Sequence, residues 1–405
     1  MTLSAGYAQA VITPSLERPV YLAGFGRNRT AESVHDDLYV RALALGQGDT
    51  CLVVAALDLI GLGRQHCLEI ARRVNEGRPG TRTWLASTHT HHGPDTIGFW
   101  GPDLTTSGVD AAYLASLKEA VARAALAAAD RLAPVRLRGT SVQVTGLAKN
   151  ARDPEILDEE LTCLQFVSAA GGAAADPLVT WLIYPCHPEV LWEENPHITS
   201  DYVGALRRGV EALTGAPCLV MVGAIGGMMT PDVQEHSFAE AEEMGGALAQ
   251  AAIGALSVRP AVLVGRMAHH CQEFAVPMTN PLFHMAMEAG LLADLLNPDG
   301  AVVSEANLLQ LDSVWVLGVP GELLPKLGLA FKAEMREAGA AVAAVVGLTN
   351  DEVGYIIPQD EYVYPENPLE PNDHYEETMS LGGDVAPCLQ GAVRELLTGM
   401  AERGK

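Results

Sequence analysis

The sequence predicts an α/β protein, and two observations carry that reading. Short β-branched or apolar runs alternate with long Ala-rich stretches, and the apolar runs end in loops crowded with Gly, Pro, His and acidic residues. At 405 residues, 48% hydrophobic and 19% charged, the chain is long and apolar enough to bury a large core and is not a disordered polymer. Fifty acidic against 26 basic side chains give a formal charge of −24, which repels phosphate backbones and anionic lipid. No basic run offsets that charge, so neither a nucleic-acid partner nor membrane insertion is expected.

Apolar runs at 51–57, 83–87, 179–184, 218–222, 313–317 and 343–348 have strand length. Stretches at 110–130, 201–213, 238–256, 283–296, 322–337 and 386–400 have helix length and composition. Ser200 suits the N-cap of the helix at 201, and Gly215 suits its stop. The longest uncharged stretch, 213–231, nearly has the length of a membrane span. Gly215, Pro217, Gly223, Gly226 and Gly227 break it into a buried strand and a glycine-rich loop. No repeat or Pro/Ser-rich linker divides the chain, so one domain over 1–405 is expected, with 358–375 its least regular part. The seven cysteines are scattered and never spaced as CxxC, which fits a reducing compartment better than a disulfide framework or a zinc ribbon. With no export signal legible near the N-terminus, the cytoplasm is the expected location.

Five strand-end loops carry groups of catalytic type. His89-Thr90-His91-His92-Gly93-Pro94-Asp95 follows the run at 83–87. On an extended segment residues i and i+2 face the same way, so His89 and His91 aim at one point, as two imidazoles of a metal site would. Surface histidines that cap or hydrogen-bond give the same pattern. Tyr184-Pro185-Cys186-His187-Pro188 holds His187 on backbone stiffened by prolines. Gly318-Val319-Pro320-Gly321-Glu322 places Glu322 in the first turn of the helix at 322–337, where ordinary helix-dipole pairing competes with a ligand role. Asn350-Asp351-Glu352-Val353-Gly354-Tyr355 offers Tyr355, which reads equally as a core aromatic. The loop 223–232 offers glycine amides beside Thr230 for an oxyanion. There is no GxxxxGK(S/T) phosphate loop and no GxSxG elbow, and Gly61-Leu62-Gly63-Arg64-Gln65-His66 has His66 where a dinucleotide fingerprint needs its third glycine.

Taken together, these segments resemble the neutral, non-lysosomal ceramidases, zinc-dependent amidases that split the N-acyl bond of ceramide. The likeness rests on the order and spacing of AGFGR from Ala23, VHDDLYVRALAL from Val34, LDLIGL from Leu57, HTHHGPDT from His89, CHP from Cys186, HITSDYVGAL from His197, GGMMTPD from Gly226, PGE from Pro320, NDEVGY from Asn350 and HYEET from His374. The resemblance implies mixed β-sheets sandwiched by helices, with the site in loops at strand ends. It implies one Zn2+ bound by His89, His187, Glu322 and Tyr355, with His91 facing the substrate. Arg152 and Tyr375 would hold a polar group of substrate beside the metal. Where the family has Asp-Val-Ser-Pro this chain has Met228-Met229-Thr230-Pro231, so Thr230 keeps a hydroxyl and Met228 replaces a carboxylate. Family members are longer, with an export signal and an immunoglobulin-like C-terminal domain; here the catalytic domain alone is expected. The expected activity is zinc-dependent hydrolysis of a linear amide C–N bond, on a small soluble amide rather than ceramide. A zinc esterase or lactonase and a non-catalytic binding protein on the same fold are the alternatives, and an acidic protein of this size also fits a homo-oligomer.

Overall fold

The computed structural model describes residues 2–170, 175–292 and 295–403. Eight strands form the larger sheet: β1 (Ser4–Val11), β2 (Tyr39–Gln47), β3 (Thr50–Leu57), β4 (Thr81–Ser87), β5 (Ala133–Gln143), β6 (Glu160–Ser168), β7 (Pro177–Tyr184) and β8 (Cys218–Val222). Their order is β8-β7-β6-β5-β1-β2-β3-β4. The smaller sheet runs β9 (Met267–Pro277), β10 (Ala301–Leu311), β11 (Val314–Gly318), β12 (Val342–Val346) in that order. Both sheets are mixed. Most neighbours are antiparallel, while β3/β4, β7/β8 and β11/β12 are parallel. The C-terminal ends of these three parallel pairs carry all five loops named above.

The two sheets pack face to face, and each is covered outside by helices. Strand β3 shows why its sequence is apolar throughout. Leu52, Val54 and Ala56 enter the core between the sheets with Trp84, Trp181 and Val316, while Val53, Ala55 and Leu57 face α1 (Arg64–Gly77) and α2 (Ala111–Ala129). Helices α3 (Asp201–Thr214) and α4 (Phe238–Ser257) cover the β6–β8 part of that outer face. Helices α5 (Pro281–Glu288), α6 (Pro325–Glu337) and α7 (Val385–Arg403) cover the smaller sheet. No described helix is long and apolar enough to cross a membrane.

The six predicted strands are β3, β4, β7, β8, β11 and β12, each within two residues at either end. Three local expectations are corrected. The helix expected at 283–296 is α5, capped by Asn280 and finished before Gly290 at φ +73°; residues 293–294 lie outside the described ones. The helix expected from 322 begins at Pro325, since proline suits a first helical position, and Glu322 instead pairs as a short strand, Glu322–Leu323, alongside Tyr355–Ile356. Ser200 does not cap α3 with its side chain, which donates to Asp36 at 3.3 Å, although Gly215 at φ +71° does end that helix.

Candidate metal centre

Three buried histidines, His89, His91 and His187, bring their ligand atoms within 4.8 Å of one another. His89 is not on extended backbone as its spacing implied: it stands at φ +65°. Its backbone N–H donates to Leu59 at 2.9 Å and its Nδ1 to the Ile60 carbonyl at 2.6 Å, so the chain leaving β3 fixes the ring that follows β4. His187 is held doubly by Met229, whose carbonyl accepts from its backbone N–H at 2.7 Å and from Nδ1 at 2.9 Å. His91 Nδ1 lies 3.0 Å from Glu189 Oε2, and its ring meets Phe25 edge-on at 4.8 Å.

Each Nδ1 therefore faces an acceptor, two carbonyls and one carboxylate, leaving Nε2 turned inward. Metal-ligating histidines are held in this way, since the outer hydrogen bond sets tautomer and ring orientation. Glu322 Oε2 lies 3.1 Å from His187 Nε2 and 3.5 Å from His89 Nε2. Both ring nitrogens of His91 are buried with no hydrogen-bond partner, and Nδ1 meets Glu189 only as a close charge contact. Imidazole nitrogens converging with one carboxylate are a donor set suited to zinc, so the residues present fit the ion.

The electrostatics agree. Burial pushes the His89 pKa down to about 3, with His187 adding to the effect. At His187 burial opposes charge, but Glu189 and Glu322 outweigh it and raise the pKa to about 9. Burial likewise opposes charge on Glu189, yet His91 and His187 bring it down to about 2, with help from the Thr230 hydroxyl. Positive charge is thus favoured between the two carboxylates, as at a cation-binding site.

A cavity of about 120 Å3 opens from this cluster, with His89, His91 and Glu322 on its wall beside Phe99, Trp100, Phe283 and Leu292. Among solved structures, the fold is similar to a neutral ceramidase from Pseudomonas aeruginosa, with a TM-score of 0.79 at 17% identity over the whole of this chain and 75% of that one. It is also similar to a ceramidase complexed with C2, with a TM-score of 0.80 at 17% identity over the whole of this chain and 76% of that one. The chain has a neutral-ceramidase-like fold. No protein-family model and no curated protein matches its sequence.

Within that neutral-ceramidase-like fold the remaining expected residues take these places. Tyr355 is the Cα partner of Glu322, and its hydroxyl donates to Met228 Sδ at 3.6 Å. Tyr375 lines the same cavity with its ring 6.2 Å from that of Tyr355. Arg152 is engaged elsewhere: its guanidinium bonds Glu376, and Glu377 at 2.8 Å, clamping the one-turn helix Tyr375–Thr378. Thr230, buried in the short strand Met229–Pro231, faces Glu189. His91, expected on the substrate side, lines the cavity and also belongs to the histidine group. Glu189 escaped the sequence reading, because a glutamate two residues after a histidine has no distinctive spacing; only the turn at Pro188 brings it beneath His91.

Proposed function

We propose that the chain hydrolyses the N-acyl bond of a small amide bearing an apolar arm, using a zinc ion held by His89, His187 and Glu322, with Tyr355 as the adjoining fourth donor. The observation that carries this reading is the buried histidine cluster, His89 and His187 hydrogen-bonded at Nδ1 and His91 facing Glu189, opening into an apolar cavity in a neutral-ceramidase-like fold. Bound zinc supplies a water acidified to a pKa of about 7 and positive charge for a carbonyl oxygen. The protein's own groups do the rest. Phe99, Trp100 and Phe283 give the apolar arm a dry wall. His91, backed at Nδ1 by Glu189, presents Nε2 to hold a proton and pass it to the departing amine. Tyr375 lies across the cavity, ready to bond the amide's polar end.

The test is a panel of short N-acyl amides and their matched esters, assayed before and after chelation and again after zinc is restored. Amide hydrolysis lost on chelation and regained with zinc is the expected result. Ester hydrolysis alone, or no turnover of either set in zinc-loaded protein, contradicts the proposal.

A further inference from the structure

One carboxyl on the cavity wall plays no part in the chemistry above. Glu352 Oε1 accepts from the Gly354 backbone N–H at 3.0 Å, whereas Oε2 is buried and has no hydrogen-bond partner. Its neighbour Asp351 is the contrast: Oδ1 accepts from the backbone of Arg64 and of Glu352, both at 2.9 Å, and Oδ2 from Ser304 at 2.7 Å. Glu352 is also held in place. A Cβ at Gly61 would stand 2.9 Å from its Cγ and 3.1 Å from Oε2, so a residue without a side chain is what leaves room for the carboxyl.

A buried polar atom without a partner is destabilising, and more so when charged, so a ligand that supplies the partner recovers that cost. Glu352 shares the cavity with Glu322 and Asp351, and among the described residues no lysine or arginine lines it. Burial lowers the pKa of His66, also on the wall, and so disfavours positive charge there. Burial and the nearby Glu322 hold the Glu352 carboxyl well above its ordinary pKa, and a cation beside it is what returns it to the carboxylate. Phe99, Trp100 and Phe283, which line the same cavity, are aromatic and favour an alkyl chain and an ammonium alike.

We propose that Glu352 determines specificity in this cavity by binding a protonated amino group carried on the apolar arm of the substrate. This deepens the amide-hydrolase reading and takes its substrate class from it, but the recognition itself needs no turnover. It can therefore fail or hold independently of that reading.

The experiment is calorimetric titration of n-hexylamine and 1-hexanol, as probes, into the zinc-loaded parent, Glu352→Gln and Glu352→Asp, with thermal melts to verify folding. The parent is expected to prefer the amine about tenfold or more, the strength of one hydrogen bond to a charged group. Glu352→Gln should lose that preference while binding hexanol as before, and Glu352→Asp, which keeps the carboxyl, should retain part of it. Amine binding unchanged in Glu352→Gln overturns the proposal, because contact of the amine with the metal would survive that substitution. A parent with no preference for the amine overturns it as well.

Discussion

His91 rests on a contact that a single methyl group would break. Gly24 stands at φ +101°, and a Cβ there would fall 2.3 Å from His91 Cγ, so Gly24→Ala must displace the ring. Misplacing a catalytic group by about 1 Å can cost about a hundredfold in rate, and that loss of kcat is expected together with a lowered Tm, since φ +101° strains any residue with a side chain. Removing the brace at Nδ1 acts more gently. Glu189→Gln keeps the shape but gives up the charge beneath His91 and His187, and is expected to lower metal affinity or activity by about 10–100-fold, measured by zinc titration against a competing chelator. Thr230→Ala removes only the hydroxyl facing Glu189. It should keep its metal and turn over about tenfold more slowly; loss of metal in that variant would place Thr230 in the ligand sphere instead.

The short elements around the site transmit such effects. Arg152 bridges from the turn after Ala148–Asn150 to Glu376 and Glu377, both buried. Arg152→Ala leaves two carboxylates without their cation and should cost about 3–5 kcal/mol in denaturant unfolding, with metal retained and KM raised through the shifted Tyr375. Helix α3 carries a second such point. Asp201 opens it at φ +56° and accepts backbone N–H groups of Val190, Leu191 and Tyr202, yet burial raises its pKa from 3.8 to about 7. Between those values the folded state binds more protons than the unfolded one, so stability falls as pH rises through that window and is level above it. Relative to Asp201→Asn, the parent should lose on the order of 4 kcal/mol from about pH 4 to about pH 7 by urea unfolding. A difference that stays constant across that range would mean Asp201 is ionised throughout.

Across the whole molecule, what was legible in the sequence was the parallel part. Strands β3, β4, β7, β8, β11 and β12 are buried on both faces and read as apolar runs, and their ends carry His89, His187, Glu322 and Tyr355. The antiparallel partners were hidden by composition. Strand β2 runs Tyr-Val-Arg-Ala-Leu-Ala-Leu, a helix former's sequence that pairing with β1 and β3 overrides. In β9 the polar residues His269, Cys271 and Glu273 mask the strand. Tertiary geometry also supplied what no local spacing encodes. Phe99, Trp100, Phe283 and Leu292 meet in one cavity from distant segments, Glu352 joins them, and Glu322 leaves its expected helix to pair beside Tyr355. The neutral-ceramidase-like fold holds at 17% identity because the sheets tolerate changed side chains as long as the pattern of burial is kept.

The most direct measurement is the metal content, by mass spectrometry, of protein purified without added metal, repeated for Glu322→Ala and for His187→Ala. About one equivalent of zinc in the parent, with far less in either variant and activity lost alongside it, is the predicted result. No metal in the parent and none taken up when zinc is added would show that the histidine cluster is a hydrogen-bonded core and not a metal centre.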